Sequence, residues 1–222
     1  MEVLKTGFDF LLQFDNHLFT MIENYGNWIY VILFLIVFVE TGVVVMPFLP
    51  GDSLLFVAGT FCAGVVNSQG EAIGMSLGII LSSLIIAAIL GDSLNYYIGK
   101  TLGLKVVTWR IGSRQLVKEK YILKTQAFYE KHGPKTIIIA RFVPIVRTFA
   151  PFVAGIGSMN YSRFIWFNVI GGFVWVSSMV LTGYFFGNLP FIKDNLEFVV
   201  FAIIGISLLP VLFEAVRRVA AR

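Results

Sequence analysis

Charge is scarce in this sequence. Only 14% of its 222 residues are Asp, Glu, Lys or Arg, against about 25% in a soluble domain. Together with 57% hydrophobic residues and a mean hydropathy of +0.83, that shortfall excludes an ordinary water-soluble fold and implies a membrane chain. The length suits a single domain, 1–222, with a handful of spanning helices. Cysteine is almost missing: Cys62 stands alone, which excludes an internal disulfide framework and a cysteine metal cluster. Histidine is confined to His17 and His132, outside the long apolar runs. The usual metal ligand and general base are therefore absent from the hydrophobic segments. No catalytic residue, metal or cofactor is expected, and the chain is not expected to be an enzyme. The N-terminus carries Glu2, Asp9 and Asp15 and no Ala-x-Ala-like site, so it does not read as a cleaved signal peptide. The net charge of +4 is not a nucleic-acid signal, because the basic residues gather where a membrane protein keeps its cytoplasmic charge.

What is present is an all-α pattern. Residues 2–23 repeat apolar residues at helical spacing and read as an interfacial helix, lying in the headgroup plane or packed on the rest of the protein. Trp28 and Tyr30 are placed to anchor a span over 28–46. Further spans are expected at 73–99, 162–187 and 197–216, each long enough for a hydrocarbon core of about 30 Å. Residues 66–71 form a polar loop. Residues 100–135 carry nine Lys or Arg, from Lys100 to Lys135, against Glu119 and Glu130, and are expected to be a basic cytoplasmic loop containing a helix that stops at Gly133-Pro134. Two segments, 47–65 and 136–158, are apolar but interrupted, and read as re-entrant hairpins. The expected fold is thus about four transmembrane helices plus two opposed re-entrant hairpins, with both termini cytoplasmic.

The interrupted segments carry the chemistry. The first holds Pro47, Pro50, Gly51 and Asp52, with Glu40 in the span just before it; the second holds Arg141, Pro144, Arg147, Pro151 and Gly155. The prolines and glycines are expected to break both helices. An arginine at the bilayer centre costs about 2.5–3.5 kcal/mol on insertion scales, so each must face water, a carboxylate or an anionic ligand. No Lys or Arg lies between Lys5 and Lys100, so Glu40, Asp52 and Asp92 have no basic partner in their own half. A pair of broken segments at matching positions of two halves marks a transporter's central site. Arg141 and Arg147 are the candidate phosphate binders, since a planar fork suits a phosphate. Glu40 and Asp52 are candidate proton carriers or permanent counter-charges. A purely structural alternative pairs Arg141 with Asp52 and Arg147 with Glu40 as fixed bridges. Asp92, Asn95 and Tyr96 are placed in a structural hydrogen-bond cluster near the cytoplasmic end of their span, and Asn168 as glue between helices. His132 is placed as a helix-end cap.

The residues Glu40, Pro47, Pro50-Gly51-Asp52-Ser53, then Arg141-Phe142, Pro144, Arg147 and Ala154-Gly155, resemble the DedA family of bacterial inner-membrane proteins, of the VTT or SNARE-associated superfamily. Gly91-Asp92, Tyr96, Gly99 and the stretch Phe128 to Gly133 extend the resemblance over nearly the whole chain. The resemblance implies facing re-entrant hairpins, with Glu40, Asp52, Arg141 and Arg147 as essential acids and arginines. It also implies a lipid-phosphate flippase that returns undecaprenyl phosphate to the cytoplasmic leaflet of the inner membrane, with links to the proton-motive force. The expected partners are therefore a polyprenyl-phosphate lipid and protons; homo-oligomerisation stays open. Two other readings remain: a proton-coupled transporter of small ions or drugs that maintains the membrane potential, and a membrane phosphatase or non-transport assembly factor.

Overall fold

The computed structural model describes residues 27–43, 51–66, 72–108, 110–111, 114–115, 119–186 and 189. Seven helices follow one another in this part of the chain: α1 (Trp28–Gly42), α2 (Gly51–Cys62), α3 (Leu77–Thr108), α4 (Glu119–His132), α5 (Thr136–Ala140), α6 (Pro144–Ile156) and α7 (Tyr161–Phe186). A 3₁₀ turn, Gly133–Lys135, joins α4 to α5. Besides helix there are two antiparallel pairs of two residues each. Val65–Val66 faces Ala72–Ile73, and Arg110–Ile111 faces Arg114–Gln115.

Among the described residues, two helices are long and apolar enough to cross a membrane, Leu77–Gly103 and Tyr161–Phe186, of 27 and 26 residues. At 1.5 Å per residue each reaches about 40 Å, more than the hydrocarbon core of about 30 Å. In contrast, α2 has 12 residues and α6 has 13, which gives each only about 18–20 Å. Large apolar side chains stand exposed on α1, α3 and α7, among them Trp28, Leu35, Ile86, Leu90 and Phe173. Such a surface is what a bilayer covers.

Several boundaries differ from those expected. The helix expected at 73–99 starts at Leu77 and continues to Thr108, so Lys100 and Lys105 lie on α3 and not in a loop. No proline interrupts 100–108, and the one glycine there, Gly103, sits against Ile156, whose Cγ1 would be 2.4 Å from an added Cβ. Close helix contact thus explains that glycine, not a break. The helix stop at Gly133-Pro134 is found, with Gly133 at φ +58° supplying the left-handed residue that ends α4. The interfacial helix 2–23, the span 197–216, residues 67–71, and Pro47 and Pro50 of the first hairpin lie outside the described residues.

The second interrupted segment breaks at one place only. Arg141, Phe142 and Val143 tighten the end of α5 with bonds from their amides to the carbonyls three residues back, at 3.3, 3.2 and 2.8 Å. Val143 then turns extended, at φ −116° and ψ 104°, as a residue before proline must. Pro144 opens α6 at its first turn, where a missing N–H costs nothing. Pro151 and Gly155, expected as breakers, lie inside α6. The helix tolerates the single lost hydrogen bond at Pro151.

Gly155 serves contact instead. An added Cβ would stand 2.2 Å from the Tyr96 carbonyl oxygen of α3, and one on Gly99 of α3 would stand 2.2 Å from that of Phe152 in α6. The same reciprocal contact recurs on the other side. A Cβ on Gly59 of α2 would meet the Val180 carbonyl oxygen of α7 at 2.0 Å, and one on Gly183 would meet that of Phe56 at 1.9 Å. Small residues let the backbones approach this closely. Each short helix therefore packs on the long helix of the opposite half, α2 on α7 and α6 on α3. The main core, with Leu33, Leu55, Phe61, Ile80, Leu84 and Val176, fills the space between α1, α2, α3 and α7.

Candidate functional site

The exchange of partners between halves brings the acids and the arginines together. Glu40 lies on the last turn of α1, and its Oε1 accepts the Gly51 amide of α2 at 3.3 Å. The free amides and dipole of a helix N-terminus favour a carboxylate there. Gly51 is needed for this approach: a Cβ would fall 1.9 Å from Glu40 Oε2. Asp52 follows in the first turn of α2.

Arg147, on the first turns of α6, closes this group. Its Nη2 donates to Glu40 Oε1 at 2.6 Å and its Nη1 to Asp52 Oδ1 at 2.8 Å. The fork spans two carboxylates from two helices. Arg141 sits elsewhere. Its Nη2 donates to Asp92 Oδ2 of α3 at 2.5 Å and to Asn168 Oδ1 of α7 at 2.7 Å. Gly171 and Gly172 of α7 leave room for it; a Cβ on Gly171 would come within 3.1 Å of its Nε. Of the two bridges in the structural alternative, Arg147–Glu40 is formed and Arg141–Asp52 is not, since Asp52 also goes to Arg147. Arg141 ends α5, one break away from Arg147, and reaches α3 and α7 instead.

Asp92, expected only in a structural cluster, is thus the ion partner of Arg141. Asn168 does join helices, since its Nδ2 donates to the Ile89 carbonyl at 3.0 Å, but it also holds the guanidinium. Asn95 ties three helices, its Nδ2 donating to the carbonyls of Thr41 at 3.2 Å and Thr148 at 2.9 Å. Tyr96 donates to the Met159 carbonyl. His132 lies on the last turn of α4, with Nδ1 3.2 Å from the Phe128 carbonyl.

The two ion clusters differ in access. The side chains of Arg141 and Asp92 are 4% and 7% exposed, those of Arg147 and Asp52 17% and 19%. Between them lies a small cavity of about 20 Å³, lined by Glu40, Thr41, Asp92, Arg141, Arg147, Thr148 and Trp175. It has room for a water molecule and none for a phosphate headgroup. Glu40 Oε2, Asn95 Oδ1 and Arg141 Nε are buried with no hydrogen-bond partner. Two guanidiniums here face three carboxylates, one negative charge in excess. Among the described residues, no three His, Cys, Asp or Glu side chains come together as a metal ion would require.

Trp175 of α7 was legible from sequence only as one more aromatic in a span. It is 2% exposed and lies beside both guanidiniums, its ring centroid 5.6 Å from Arg141 Cζ and 5.7 Å from Arg147 Cζ. Its Nε1 donates to Asp52 Oδ1 at 2.9 Å. The pair Gly171-Gly172, just before it on the same helix, was the available signal.

Short helices that each pack across to the opposite half, with buried arginines and acids between them, define a helical membrane protein with an internal charged site. Residues 49–185 match the VTT domain. The chain is 48% identical over 224 residues to Protein DedA of Escherichia coli, covering 100% of this chain and 99% of that one. It is 39% identical over 190 residues to an uncharacterised membrane protein of Mycobacterium tuberculosis, covering 86% and 80%. It is 36% identical over 164 residues to the inner membrane protein YqjA of Escherichia coli, covering 73% and 69%. No solved structure matches the chain at significance. The chain belongs to the DedA family of VTT-domain membrane proteins.

Proposed function

We propose that this protein moves an anionic lipid phosphate, with undecaprenyl phosphate as the substrate, between the leaflets of a bacterial inner membrane. Four spans and two opposed re-entrant hairpins would carry the site, with both termini in the cytoplasm. The lengths of α2 and α6 support the hairpins, since neither helix reaches across the hydrocarbon core. The relatives named as membrane and inner membrane proteins support the location.

One observation carries the reading: Arg147, on a broken helix, is held by two carboxylates in a partly open site, while Arg141 is locked away. A phosphate monoester can take over the fork of Arg147 as a bidentate partner. The cavity is too small to admit it beside the existing bridges, so those bridges must open. The prenyl tail can stay in lipid beside α2 and α6, and no large chamber is needed. The excess negative charge supports proton coupling, since one bound proton balances it and Glu40 Oε2 has no other partner.

The test is leaflet transfer of labelled undecaprenyl phosphate by the purified protein in vesicles. Transfer by the wild type and loss in Arg147→Ala is the expected result. Equal transfer by both ends the proposal. A flux driven by a pH gradient without lipid-phosphate binding would move the reading to small-ion transport.

A further inference from the structure

Asp52 Oδ1 accepts two hydrogen bonds, from Arg147 Nη1 at 2.8 Å and from Trp175 Nε1 at 2.9 Å. Glu40 Oε1 likewise accepts from Arg147 Nη2 and from the Gly51 amide. Each carboxylate thus has one donor that belongs to Arg147 and one fixed to a helix. When a headgroup takes Arg147, the fixed donors are what remain. We propose that Trp175 is a positioning residue that keeps Asp52 hydrogen-bonded during this hand-over of Arg147, so that the freed carboxylate does not pull the guanidinium back. The inference rests on the headgroup reading above.

The geometry suits that role. An indole N–H only donates, so it pairs with the carboxylate and accepts no hydrogen bond from Arg147. The ring is buried, and its faces attract the nearby guanidiniums. A charged partner left without its donor costs about 1.5–3 kcal/mol, which is about ten- to a hundredfold in affinity. Phenylalanine at this position keeps an aromatic face and removes only the donor.

The experiment titrates dodecyl phosphate, a soluble phosphate monoester, into the purified full chain in detergent. Trp175→Phe is expected to weaken binding about tenfold in the native background and to change nothing when Asp52 is already Asn. In a Trp28→Phe, Trp109→Phe, Trp166→Phe chain, Trp175 emission is expected to change saturably, with the same half-point as binding, because the charge beside the ring moves. This second readout does not depend on the Trp175 variant folding. Unchanged affinity in Trp175→Phe, an equal loss in the Asp52→Asn background, or flat emission through a titration that binds would each overturn the inference. Undiminished binding by Arg147→Ala would instead remove the headgroup reading itself.

Discussion

The two arginines are six residues apart and sit in different kinds of place. Arg141 gives one nitrogen to an aspartate and an amide and is shut in by Gly171 and Gly172. Arg147 divides its fork between two carboxylates and keeps some exposure. The first arrangement resembles a structural clamp among α3, the end of α5 and α7; the second resembles a latch. The break before Pro144 makes the difference. It puts Arg141 at the end of one helix and Arg147 at the start of the next, so the two side chains enter separate neighbourhoods.

That contrast can be broken in four ways. The largest effect is expected on stability. Arg141→Ala strands Asp92 in a buried site, which costs about 3–5 kcal/mol; thermal unfolding in detergent should fall sharply, and Arg141→Ala combined with Asp92→Ala should regain part of the loss. If the double variant were worse than the sum of the singles, the clamp would be misassigned. Arg147→Ala also strands Glu40, whose side chain is 6% exposed, but leaves part-exposed Asp52 nearer to water. It should destabilise the chain less than Arg141→Ala, keep it folded by size-exclusion, and lower lipid-phosphate transfer about a hundredfold, as expected for two lost charge-assisted bonds of about 1.5 kcal/mol each. Third, Gly183→Ala must push a methyl group into the Phe56 carbonyl, and should cost about 1–3 kcal/mol of thermal stability while leaving both arginine clusters paired. The smallest effect is expected from Arg147→Lys, which keeps the charge and loses the fork. Transfer should drop about tenfold, the equivalent of about 1.4 kcal/mol; full activity would mean that charge alone suffices.

Much of this was readable from the residues. The scarcity of charge marked a membrane chain, and charges stranded in apolar runs marked the site. The absence of any cation near the acids pointed to pairing across the two halves. The Arg147–Glu40 bridge was among those weighed, but the partner of Arg141 was not readable, because the break at 141–143 decides which way each arginine faces and depends on where α5 ends. Asp92 was placed at a helix end because α3 was drawn too short; with α3 continuing to Thr108, Asp92 lies near its middle. Pro151 and Gly155 looked like breakers because composition does not distinguish a glycine that ends a helix from one that lets a neighbouring backbone approach. Trp175 gave no sequence sign of its tie to Asp52, 123 residues away.

The reciprocal seams between α2 and α7 and between α6 and α3 bear on how the chain is made. Synthesis runs from the N-terminus, so Glu40, Asp52 and Asp92 enter the bilayer before the arginines that neutralise them exist. Glu40 waits 107 residues for its cation. During that interval the first half has acids without cations and a short helix without its groove. The nascent protein therefore passes through a stage that only the arrival of its second half can end.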